Sequence, residues 1–104
     1  GYTNLTITVR TDRSTHVFHQ YTLQLKGVDR DRLRDGLASK GISSMVYYPI
    51  PLHMQKAFAT GRYDKGDFPV TEKLCDTVLS LPIHTEMDEE TLSYISACVL
   101  ALLK

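Results

Sequence analysis

Apolar and polar residues alternate over Leu5-Thr6-Ile7-Thr8-Val9, the period of a strand with one covered face. Arg10 to Thr15 is polar and turn-like. A second run, Val17 to Leu25, is rich in β-formers and sets Val17, His19, Tyr21, Leu23 and Leu25 on one face. Two such runs joined by a turn predict an antiparallel pair. The period then changes. Asp29 is placed to cap a helix whose apolar marks, Leu33 and Leu37, lie one turn apart, and Gly41 stands where a left-handed residue ends it. Arg30, Asp31, Arg32, Arg34 and Asp35 read as its solvated, charged outer face.

Ile42 to Tyr47 returns to a strand pattern, and Leu52 to Thr60 reads as a short helix stopped by Gly61. Arg62 to Asp67 reads as a loop. Pro69 suits the first turn of a helix with Val70, Leu74 and Val78 repeating along one stripe. Ser80-Leu81-Pro82-Ile83-His84 is extended. Asp88 opens a last helix, with Glu89 and Glu90 near its positive end and Leu92, Ile95, Val99 and Leu102 as its apolar stripe. The order β-β-α-β-α-α-β-α predicts a single α/β domain over residues 1–104, an α+β two-layer sandwich. Its sheet is mostly antiparallel with helices on one face. Such an arrangement leaves a sheet face or edge needing cover.

One segment departs from both periods. In Tyr47-Tyr48-Pro49-Ile50-Pro51-Leu52-His53, two prolines two apart exclude helix and central strand, and each biases its predecessor toward extended backbone. The segment reads as a stiff rod presenting two tyrosines and a histidine.

Composition narrows the function classes. Twelve basic residues balance twelve acidic ones, which gives no electrostatic case for nucleic acid or an anionic membrane as partner. No apolar stretch approaches the ~20 residues of a membrane span, and the N-terminus lacks the pattern of a signal peptide. Cys75 and Cys98 each fall among apolar residues of a predicted helix and read as buried, reduced thiols, with a disulfide between the two helices as the other reading. A cytoplasmic compartment is expected by elimination.

His16 and His19, three apart on a predicted strand, face opposite ways and make a poor metal pair. No Ser-His-Asp or Cys-His spacing stands out, and the glycines form no phosphate-cradling motif. His53 reads either as a ligand-facing group set by the rod or as a histidine filling the start of the next helix. His84 carries the same two readings. The residues alone supply at most half of a site.

Five stretches in series resemble a known family. They are His16-Val17-Phe18-His19-Gln20-Tyr21; Asp29-Arg30-Asp31-Arg32-Leu33 leading to Lys40-Gly41-Ile42; Tyr48-Pro49-Ile50-Pro51-Leu52-His53; Gly66-Asp67-Phe68-Pro69-Val70 with Glu72-Lys73-Leu74; and Leu79-Ser80-Leu81-Pro82. In their order and spacing they are similar to the C-terminal small domain of the DegT/StrS nucleotide-sugar aminotransferases. The resemblance implies the small-domain fold of type I pyridoxal-phosphate aminotransferases, a homodimer, and amino transfer from glutamate to a keto nucleotide sugar for polysaccharide, lipopolysaccharide or antibiotic sugars. It implies that the cofactor is held as a Schiff base by a lysine of a larger N-terminal domain, which this chain does not contain. No pyridoxal phosphate is therefore expected on the fragment, no catalytic residue is expected in it, and it is expected to be inactive alone. Gly1 reads as a residue added at its start. Carried over by position, the resemblance sets His19, Tyr48 and His53 beside the sugar nucleotide as substrate-binding residues. The alternative reading is a non-enzymatic regulatory or protein-interaction module of the pleiotropic-regulator type.

Overall fold

A computed structural model describes residues 2–104; Gly1 lies outside the described residues. Three antiparallel strands form one sheet in the order β1-β2-β3: β1 Leu5–Thr6, β2 Tyr21–Leu25 and β3 Val78–Leu81. Leu5 pairs with Leu25, Leu23 with Leu79 and Tyr21 with Leu81, so these residues share one face. Helices α1 (Arg30–Ser39) and α3 (Glu89–Leu102) bury Leu33, Leu37, Ile95 and Val99 in the same core. Each fully buried leucine contributes about 2 kcal/mol relative to an exposed one. On the opposite face the hydroxyls of Thr22 and Ser80 are hydrogen-bonded at 2.9 Å. Helix α2 (Pro69–Thr77) runs directly into β3 and touches β2. The expected α/β class, antiparallel sheet and helical layer all stand.

The helix ends follow local chemistry. The Asp29 carboxylate accepts from the Arg32 amide at 3.0 Å and caps α1. Gly41, at φ +76°, lets its own amide reach the Ala38 carbonyl and the Ile42 amide reach Leu37, closing the helix as a Schellman motif. Asp88 caps α3 through the Thr91 amide at 2.8 Å. Where α1 crosses α3, a Cβ on Gly36 would come within 3.1 Å of the Leu102 methyls, so the glycine permits the close approach.

The strands are shorter than the alternation predicts. β1 ends at Thr6, leaving Ile7 and Val9 exposed, because among the described residues none pairs with the chain from Ile7 to Val9. β2 begins only at Tyr21, since Phe18 takes φ +47° and breaks the extended run. The strand predicted over Ile42 to Tyr47 reduces to one bridge, Met45 with Ser80, before the prolines deny the ladder its donors. Two apolar stripes also need correction. On α2 the buried residue is Cys75, while Val70 is 71% exposed and Val78 belongs to β3. On α3 the buried set is Ile95, Cys98 and Val99, and Leu92 is exposed. Arg30 leaves the solvated face of α1: its guanidinium donates to the Cys75 carbonyl and ties α1 to the end of α2. Both cysteines are buried free thiols. Among the described residues no helix is long and apolar enough to cross a membrane.

Candidate functional site

The proline segment presents its tyrosines but not its histidine. Tyr48 is 72% exposed, whereas Pro51 is buried and the His53 side chain is only 7% exposed. The extended prolines carry the chain along the body, and two short 3-10 helices, Leu52–Met54 and Lys56–Phe58, turn it inward. His53 Nε2 lies 3.0 Å from Glu72 Oε1, and the ring meets Phe68 edge-on at 4.8 Å. Tyr63 stacks edge-on against the other end of this array, 5.3 Å from Phe68.

Glu72, on the first turns of α2, accepts a second bond at the same oxygen from the Gly66 amide, at 2.7 Å. The Gly66 amide first, and then the His53 ring and the Phe68 amide, hold the Glu72 carboxyl below its ordinary range against a desolvation that acts the other way. The 61–67 loop is braced internally by the Asp64 amide donating to the Asp67 carboxylate at 2.8 Å. Leu52, His53, Phe58, Arg62, Tyr63 and Phe68 thereby line an open cleft of about 460 Å³. Aromatic walls, one guanidinium and an imidazole suit a flat ring or sugar bearing hydroxyls or an anionic group.

His19 lies elsewhere. Because Phe18 turns the chain, neither His16 nor His19 is on a strand, and the two-face argument for this pair does not apply. His16 Nδ1 accepts from the Phe18 amide at 2.9 Å. His19 lines a cleft of about 280 Å³ with Ser43, Tyr47, Ser80 and His84. The Nδ1 of His84 accepts from the Glu86 amide at 3.2 Å. So the structure joins His19 to His84, separates both from His53, and leaves Tyr48 on neither lining. Glu72, Tyr63 and Arg62 were not singled out as site residues from sequence; no local spacing connects them to His53. Among the described residues no three His, Cys, Asp or Glu side chains gather as a metal set.

The profile of the DegT/DnrJ/EryC1/StrS aminotransferase family matches residues 2–100. The chain belongs to this family. It is 45% identical over 84 residues to the Pleiotropic regulatory protein of Geobacillus stearothermophilus. It is 44% identical, also over 84 residues, to the UDP-N-acetyl-3-dehydro-alpha-D-glucosamine 3-aminotransferase of Acidithiobacillus ferrooxidans. Each match covers 81% of this chain and 22% of the relative, so the chain spans about a fifth of the length of either. The crystal structure of S. venezuelae DesV in complex with a ketimine intermediate superposes with a TM-score of 0.83 at 28% identity. It covers 97% of this chain and 27% of that one. A family aminotransferase from Brucella abortus gives 0.81 at 29% identity, over 94% and 26%.

Sugar aminotransferases of the DegT/DnrJ/EryC1/StrS family are pyridoxal-phosphate enzymes, and this chain's own residues do not fit that cofactor. All six lysines, Lys26, Lys40, Lys56, Lys65, Lys73 and Lys104, are exposed. A Schiff-base lysine needs a desolvating pocket, and none of these has one.

Proposed function

We propose that this chain is the small domain of a longer pyridoxal-phosphate-dependent aminotransferase, and that it closes over a nucleotide-sugar substrate while another part of the same protein holds the cofactor. The single observation that carries this reading is the family match across residues 2–100, made by a chain spanning about a fifth of its relatives. Glutamate is proposed as the amino donor and a keto nucleotide sugar as the acceptor, in a homodimeric enzyme of polysaccharide or lipopolysaccharide synthesis. The free thiols Cys75 and Cys98 support a cytoplasmic setting. His19, Tyr48 and His53 are proposed to meet the substrate, His19 and His53 from separate clefts and Tyr48 from the exposed proline segment.

The test is amino transfer by the protein that carries this segment, supplied with pyridoxal phosphate, glutamate and a keto nucleotide sugar. Mass spectrometry should find the amino sugar nucleotide and 2-oxoglutarate. Replacing His19 or His53 by Ala should lower kcat/KM about tenfold or more, the worth of one lost hydrogen bond to a polar ligand. Wild-type protein that binds no cofactor and transfers no nitrogen would overturn the reading.

A second reading, a non-enzymatic regulatory or interaction module, has one observation in its favour: the 45% identical relative bears the name of a pleiotropic regulator. It predicts a specific protein partner whose binding survives loss of His19 and His53 but not of the exposed apolar residues around Tyr48.

A further inference from the structure

We propose that Glu72 is a positioning residue for the aromatic cleft: through one carboxylate oxygen it anchors the 61–67 loop and fixes His53 as the Nε2–H tautomer, leaving Nδ1 as the ring's acceptor for a ligand hydroxyl. Oε1 of Glu72 lies 2.7 Å from the Gly66 nitrogen and 3.0 Å from His53 Nε2. An ionised carboxylate accepts and cannot donate, so the proton between Glu72 and His53 belongs to Nε2. The opposite tautomer would set two lone pairs against each other at that distance. The neutral ring then has one acceptor left, Nδ1. The Phe68 edge fixes the ring plane, and the hydrogen bond is sheltered, with side-chain exposures of 7% for His53 and 16% for Glu72.

The same oxygen governs the cleft wall. Gly66 reaches it at φ +99°, a conformation natural to glycine, and the loop it anchors carries Arg62 and Tyr63. Ring state and wall position are therefore coupled through one atom. Lys65 and Asp76 line a small adjoining cleft of about 190 Å³ with Glu72, and the loop bonded to it carries Asp64 and Asp67. Assigning a hydroxyl ligand rests on the substrate-closing role proposed above. The tautomer is read in the free chain without substrate, so the two fail separately.

The experiment is long-range proton–nitrogen NMR on the labelled chain, with Glu72→Gln and Glu72→Ala variants. In the wild type above neutral pH, Nδ1 should give the unprotonated signal and Nε2 the protonated one. On acidification, the Gly66 amide should shift with the Glu72 carboxyl, at a midpoint below 4.5, the ordinary value for glutamate. Glu72→Gln, which keeps an acceptor oxygen, should retain the tautomer and lose the acid shift of the Gly66 amide. Glu72→Ala should mix the tautomers and speed exchange of the Gly66 amide about tenfold or more. A wild-type ring protonated at Nδ1 above neutral pH, a Gly66 amide that does not respond to Glu72 protonation, or unchanged signals in Glu72→Ala would each overturn the proposal. Should Glu72→Ala fail to fold, the wild-type nitrogen signals above neutral pH and the Glu72→Gln variant decide.

Discussion

Leu37 has no exposed surface and lies in the core on α1, which packs against α3 and β3, so truncating it opens a cavity the sheet cannot collapse to fill. Leu37→Ala should cost about 3 kcal/mol in urea denaturation. Asp29→Ala, which removes only the α1 cap, should cost about 1 kcal/mol, and Asp29→Asn much less. Both residues were legible in the sequence because their signals are local: a one-turn spacing and a cap just ahead of it. His53 was not legible in the same way. Its partner Glu72 is 19 positions away, on an element whose apolar stripe was itself misplaced, so nothing nearby shows that the ring turns inward. Val70 and Leu74 misled for a related reason. Their spacing is helical, but helical spacing does not say whether any layer covers that side.

At the scale of elements, the ends of the α-helices were read closely and the lengths of the strands poorly. Capping and Schellman closure are written within a few residues, whereas a strand's length depends on what pairs with it. β1 and β2 both lose predicted residues where the partner strand or the backbone at Phe18 fails them. The bonds that link loop to helix carry a pH signature. Glu72 is held below its ordinary value chiefly by the Gly66 amide, and Asp88 below its own by the Thr91 side chain and amide. Both carboxyls are depressed in the folded state. Their stabilisation is therefore fully present above the unfolded values of 4.5 and 3.8 and is lost as pH falls through the lower folded values. Guanidinium midpoints measured at about pH 6 and about pH 3 should fall on acidification. The fall should be smaller in a Glu72→Gln, Asp88→Asn double variant.

For the whole molecule, the two-layer class was legible because layer order follows element order, and the clefts were not, because they gather residues from distant turns. Tyr47, Tyr48, Ile50 and Leu52 form a run of exposed apolar side chains in the isolated chain. Sedimentation velocity should show concentration-dependent self-association of the chain. Tyr48→Ser with Ile50→Ser should weaken it while changing unfolding stability by no more than about 0.5 kcal/mol per site. The Met45–Ser80 bridge constrains how that association proceeds. Along the outer border of β3, the Val78 amide is taken by the Leu74 carbonyl and the Ser80 amide by Met45, and Pro82 has no amide to offer. With every outward donor spent or missing, another chain finds no template there for a fourth strand, so copies of this domain can meet through side chains but cannot zip edge to edge on that border.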